Sequence, residues 1–222
     1  MNFLSHFYFD RKSADSYHII GTVLPDLLKN ADKTINIHPE KLGGHADPKV
    51  TSVIEGWQKH LEIDRYFHSS EYFIYHSHHL KLELLPGIVG SPVKPFFLGH
   101  VALELILDNL LITTGKIDID EFYRHIEAAE DQVIHDFLTF SGVKNTTVFF
   151  TFLDDFKKSG YLHTYADTSQ IAYALKQISK RIWLNPFTAT HEEQMNRALV
   201  SYREVLLPGF MTIFDEIDAH LA

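Results

Sequence analysis

Histidine and carboxylate side chains recur four residues apart in this chain. On a helix that spacing puts two side chains on one face, about one turn apart. His60 and Asp64 lie in GWQKHLEIDRYFHSS, with His68 four residues further on. His100, Glu104 and Asp108 lie in FFLGHVALELILDNLL, and His6 in NFLSHFYF and Asp26 in GTVLPDLL supply a third set. Imidazole nitrogen and carboxylate oxygen presented from facing helices suit a borderline or hard divalent cation. The chain has no cysteine, which excludes disulfides, thiolate-ligated zinc, iron–sulfur clusters and a thiol nucleophile. Any metal must therefore be held by nitrogen and oxygen, and Mn, Fe, Zn and Mg all fit such donors to different degrees.

The three sets differ in how strongly they point to chemistry. His100, Glu104 and Asp108 form the only hydrophilic line on a segment that is apolar almost all round, so their helix is expected to be buried. Buried carboxylates are costly unless paired or bound to metal, and Lys94 is the only cation in that segment. The His60, Asp64, His68 stripe reads equally well as a metal face or as the polar face of an amphipathic helix. Ile63 and Phe67 flank it closely and pull it toward the core boundary. His6 sits in an aromatic segment where a hydrogen-bonded core histidine is the commoner outcome. Asp26 follows Pro25 in an apolar run where solvent exposure is hard to explain. The adjacent His135 and Asp136 are a minor candidate. His76, His78 and His79 fall toward a helix end, and His38 and His45 in a polar loop. No HExxH, P-loop, GxGxxG or GxSxG motif occurs, and no Glu is followed three residues later by His.

The elements that must position these groups read as helices. Apolar residues over 13–30 follow helical spacing, with Ser13 as the expected N-cap and Pro25 expected to kink or restart the helix. Residues 31–49, with two prolines and a glycine pair, read as a loop. Long helices are expected over 50–78, 93–114 and 119–139. Further ones are expected near 145–159, 167–182 and 189–218, the last broken near Pro208-Gly209. Period-two alternation is scarce, so strands are not expected. The preferred architecture is a single all-α domain over 1–222, a helical bundle with functional groups facing its interior.

A chain of 222 residues buries a full core without staples, and 17 Phe and 10 Tyr predict an aromatic-rich one. The formal charge of −9 is uneven: residues 1–100 carry a net −1 and residues 101–222 a net −8. Attraction to nucleic acid or an anionic membrane is not expected. No apolar stretch reads as a membrane span and the start does not read as a signal peptide, so a cytoplasmic location is the expectation.

The order of NFLSHFYF, GTVLPDLLKN, GWQKHLEIDRYFHSS and ELILDNLL resembles the acyl carrier protein phosphodiesterase family over about the first 115 residues. That family starts with N-F-L-A-H and continues with G-N-L-L-x-D. It then carries G-x-x-x-H-R-x-I-D-x-x-T-D and a helix with D-x-x-x-D. It is grouped with the HD-type metal phosphohydrolases, which are helical. The resemblance implies that fold, a divalent metal, a phosphate-ester substrate that includes a carrier protein, and polar positions at His6, Asp26, His60, Asp64, Glu104 and Asp108. Here Leu61 stands where the family has Arg, Glu104 replaces an Asp, and His100 has no counterpart.

The resulting expectation is a metal-dependent phosphohydrolase or phosphodiesterase. His6, Asp26, His60, Asp64, His100 and Glu104 would hold one or two divalent ions in one interior pocket. Asp64 or Asp108 would orient or deprotonate water, and Lys29, Lys59 or Arg65 would hold a phosphate oxygen. Two alternatives stay open: a zinc-dependent hydrolase of the phospholipase C or nuclease type, and a non-enzymatic helical binding domain.

Overall fold

Several helices in this protein, those beginning at residues 16, 71, 119, 168 and 189, start where a side chain accepts from the first free backbone N–H groups. The computed structural model describes residues 1–222 and contains eleven α-helices, three short 3-10 turns and no strand, as an all-α protein should. After α1 (Phe3–Tyr8), helix α2 (Ser16–Ala31) is capped by Asp15, which accepts from the Tyr17 and His18 N–H groups. The cap is thus Asp15 and not Ser13. Pro25 does not restart α2: one helix runs through it, although its ring removes a helical donor.

The helix expected over 50–78 is two. Helix α3 (Pro48–Ser69) ends before Ser70, whose hydroxyl accepts from Phe73 N and caps α4 (Glu71–Leu84). Helix α5 (Pro95–Thr113) follows. The stretch 119–139 also divides, into α6 (Ile119–Ala128), capped by Asp118, and α7 (Asp131–Phe140), with Ala129 extended between them. Helix α8 (Thr147–Ser159) ends on Gly160 in the left-handed region. Helices α9 (Thr168–Lys180), α10 (Ala189–Leu206) and α11 (Met211–Leu221) complete the chain, with the last two separated at Pro208-Gly209 as expected.

The helices assemble as two compact units, where the sequence reads as one domain. Each unit is drawn from two stretches of chain: Met1–Asp64 with Ile117–Tyr161, and Arg65–Lys116 with Leu162–Ala222. In the first, α2 packs on α1, α6 and α8 around an aromatic core. Phe7 meets the Phe122 ring edge-on at 5.4 Å, and Phe156 touches Phe3 and Tyr123 at 5.6 Å each. Helix α2 crosses α3 backbone to backbone: a Cβ at Gly56 would overlap the His18 carbonyl, and one at Gly21 the Val53 carbonyl.

In the second unit α5 packs on α4, α9 and α10. It has the length and composition of a membrane span, contrary to the expectation that no stretch does. Yet 61% of that span is buried inside the protein, which makes it a core helix. Gly99 lets α5 close on α4, since a Cβ there would overlap the Ser77 carbonyl.

Candidate metal centres

The Gly21–Gly56 crossing sets the geometry of the first centre. One turn beyond Gly56, His60 comes against α2, and its Nδ1 donates to the Thr22 carbonyl at 2.8 Å. A carbonyl only accepts, so Nδ1 carries the proton and Nε2 is left with its lone pair. One turn beyond Thr22 stands Asp26. From α1, the His6 ring stacks on the His60 ring, with centroids 3.9 Å apart and planes inclined by 19°. Potential ligand atoms of His6, Asp26 and His60 all lie within 4.8 Å of one another. Asp64, one turn after His60 on α3, closes the group. Its Oδ1 is 3.3 Å from His6 Nε2, and its Oδ2 is 3.6 Å from His60 Nε2. The Met1 amino group approaches the same Oδ1 at 2.5 Å.

Burial governs the protonation of this group. His6 is wholly buried, and neither of its ring nitrogens meets hydrogen-bond geometry. Burial, with the His60 ring beside it, lowers its pKa to about 4 against the opposing pull of Asp64. Burial likewise lowers His60 to about 4. Asp64 is held well below the usual carboxylate range: burial pushes it up, and the Met1 ammonium and His6 outweigh that. The centre therefore presents two neutral imidazoles beside an ionised carboxylate, the protonation states a divalent cation requires.

A second constellation lies in the other unit. His68, in the last turn of α3, meets His100 and Glu104 from the first half of α5. His100 Nε2 is 3.0 Å from Glu104 Oε1, and His68 Nε2 is 3.3 Å from the same oxygen and 3.2 Å from His100 Nε2. Phe73 stands nearly perpendicular to both imidazoles, its plane inclined by 82° to His68 and 81° to His100 with centroids 4.9 Å away in each case. Burial pushes the Glu104 carboxyl up, yet it is held below its ordinary range, with His100 and His68 among the groups that stabilise the anion.

The residues expected to share one pocket are thus gathered as two ligand sets, each with its own unit. His68, undecided from sequence, completes the second. Asp108 is wholly buried and belongs to neither set. Lys29 is exposed on the last turn of α2, and its charge is felt at His60. Lys59 is committed elsewhere: its ammonium is 2.7 Å from Asp10, which His18 also approaches at 3.5 Å. Arg65 is exposed. His135 and Asp136 are exposed and join neither set. The sequence reading missed Asn109. It is buried, donates to the Tyr165 carbonyl at 2.7 Å and accepts from Arg203 Nε at 2.6 Å. No local signal announces this pair, because its members are far apart in the chain. Compared with protein-family models, curated proteins and solved structures, the chain matches none.

Proposed function

We propose that the protein is a divalent-metal-dependent phosphoric ester hydrolase, and that the centre built by His6, Asp26, His60 and Asp64 is its active site. The observation that supports this most is the fixed tautomer of His60. A backbone carbonyl holds Nδ1–H, so Nε2 faces the neighbouring imidazole and carboxylates as a lone pair. Such a partner on the outer nitrogen is the usual orienting device of a metal-binding histidine. The buried His6 ring gives the same indication: its one close polar neighbour, Asp64 Oδ1 at 3.3 Å from Nε2, does not meet hydrogen-bond geometry, and a buried polar group is costly to leave poorly satisfied.

A divalent cation at such a centre brings the pKa of bound water toward about 7 and neutralises charge developing on a phosphoryl group. His6, Asp26 and His60 are the residues that would hold it. Asp64 is 29% exposed while Asp108 is wholly buried, so Asp64 is the carboxylate that would orient the water by accepting a hydrogen bond, its low basicity suiting it to that role and not to removing the proton. Lys29 is the cation available to a phosphate oxygen, since Lys59 is neutralised by Asp10. The HD-type helical fold and the acyl carrier protein phosphodiesterase family are the closest reading of the motif order around these residues. The substrate class is a phosphodiester or phosphomonoester, and a carrier-protein-linked ester is the form the family resemblance favours.

The test is metal content by mass spectrometry, with hydrolysis of bis(p-nitrophenyl) phosphate, for tag-free wild type and His60→Ala. Wild type should carry metal and turn over the ester, and a folded His60→Ala should do neither at this centre. Equal metal and equal turnover in the two proteins would sink the proposal.

A further inference from the structure

We propose that His68, His100 and Glu104 form a second metal site, selective for a zinc-type divalent ion and independent of the centre around His60. Proton placement among the three facing atoms has no favourable solution. Each Nε2 is either an N–H donor or a bare lone pair, and an ionised carboxylate oxygen only accepts. His68 Nε2, His100 Nε2 and Glu104 Oε1 stand in a triangle with edges of 3.2, 3.0 and 3.3 Å. If both nitrogens carry protons, two N–H groups face each other across 3.2 Å. If only one does, the lone pair of the other faces the carboxylate oxygen. If neither does, three lone pairs converge. Every assignment leaves at least one edge repulsive, whereas one cation satisfies all three atoms together.

The size of the triangle matches that answer. Donors about 2.0–2.1 Å from a tetrahedral centre stand about 3.3–3.4 Å from one another. Two imidazoles and one carboxylate are also the donor set of a zinc site that keeps a fourth position open. Here the open side is available, because the His68 and His100 side chains are 32% and 40% exposed and Glu104 is 14% exposed. A closed structural site would bury them. The donors are also held in place: Phe73 braces both rings from α4, and Gly99 lets α4 and α5 approach closely enough for it to do so. The nitrogen-rich set favours Zn or Co over Mg, which prefers oxygen donors and retained water.

The proposal does not rest on the function assigned above, and one experiment separates the two. Chelator-stripped, tag-free protein is titrated with Co2+, following bound metal by mass spectrometry and the visible d–d absorption of the ion. Wild type, His68→Ala, Glu104→Gln and His60→Ala are compared, with far-UV circular dichroism as the folding control. His68→Ala should bind one equivalent fewer than wild type and lose the associated band, its affinity for that equivalent falling by more than about 100-fold, beyond what loss of an outer-shell partner costs. Glu104→Gln preserves shape and should weaken the same equivalent, which keeps the test decisive if His68→Ala misfolds. His60→Ala should retain it. Identical stoichiometry and spectra in wild type and Glu104→Gln, or loss of all bound metal in His60→Ala, would overturn the second site. Retention of every equivalent by His60→Ala would instead count against the first centre alone.

Discussion

The two histidine clusters use the same side chains in opposite surroundings. In the first, His6 and His60 lie under the surface with their rings stacked, and burial keeps both neutral down to about pH 4. In the second, His68 and His100 stand partly in solvent with their rings inclined at 42°, and the Phe73 ring packs nearly perpendicular to both. Burial makes a site rigid, and the protein must tolerate polar groups in its core to have it. Exposure relieves that cost, and the geometry then depends on neighbouring rings and helix ends. Stability should therefore be coupled tightly to the first cluster and loosely to the second.

The largest effect expected is at the helix crossings. Gly56→Ala drives a Cβ into the His18 carbonyl and Gly99→Ala drives one into the Ser77 carbonyl, backbone atoms that cannot swing aside. Each substitution should cost about 3 kcal/mol, the upper end of ordinary overpacking. Chemical denaturation measures this, and Gly56→Ala should also release the His60-dependent metal. A folded Gly56→Ala protein of unchanged midpoint would show that the crossing does not hold the first cluster.

A similar magnitude is expected from pH. His6 and His60 have folded-state pKa values of about 4, below the ordinary 6.5, so the unfolded chain takes up protons first on acidification. Their contribution to apo-protein stability is complete above pH 6.5 and is lost as pH falls from there to about 4. The loss is roughly 3 kcal/mol for one such shift, and at most about twice that for the coupled pair. Urea midpoints at pH 7, 5.5 and 4.5 give the slope, and His6→Gln with His60→Gln should flatten it. An equally steep slope in that double variant would assign it to other groups.

Truncation sharpens the contrast. His60→Ala removes a fully packed ring and its bond to Thr22, and should cost about 2 kcal/mol. His68→Ala, at a half-exposed position, should cost under about 0.5 kcal/mol. Thermal melts of the two apo-proteins decide, and equal losses would erase the distinction between the clusters. An effect between those two losses is expected at Ser70→Ala, which removes the α4 cap and should cost about 1 kcal/mol. Because Phe73 is the residue whose N–H is capped, this variant should also loosen Co2+ at the second site. A melt that shifts with unchanged Co2+ affinity would show that Phe73 is held by packing alone.

How much was legible in the chain varies from element to element. Helical periodicity found α2, α5, α8, α9 and the division of α10 from α11, because those segments carry their own apolar stripes. It merged α3 with α4 and α6 with α7, because the stripe continues across both breaks. A Ser-Ser-Glu run at 69–71, with a cap residue followed by an acid in the first turn, was the signal for the first break. The i, i+4 spacing of His60 with Asp64 and of His100 with Glu104 was readable, since helix pitch alone puts those pairs on one face. That spacing could not say which pairs belong together.

By itself the sequence determined the all-helical class, the nitrogen and oxygen donor chemistry that follows from having no cysteine, and the local histidine–carboxylate pairs. These depend on composition and on pitch, which are local properties. Tertiary structure decided that His6 stacks on His60, that His68 joins His100 and Glu104, and that Asn109 is matched by Arg203. Those partnerships depend on how closely two helices approach and on where a helix stops. Both are set by contacts between residues distant in the chain, such as Gly21 with Gly56 and Gly99 with Ser77, which no local pattern encodes.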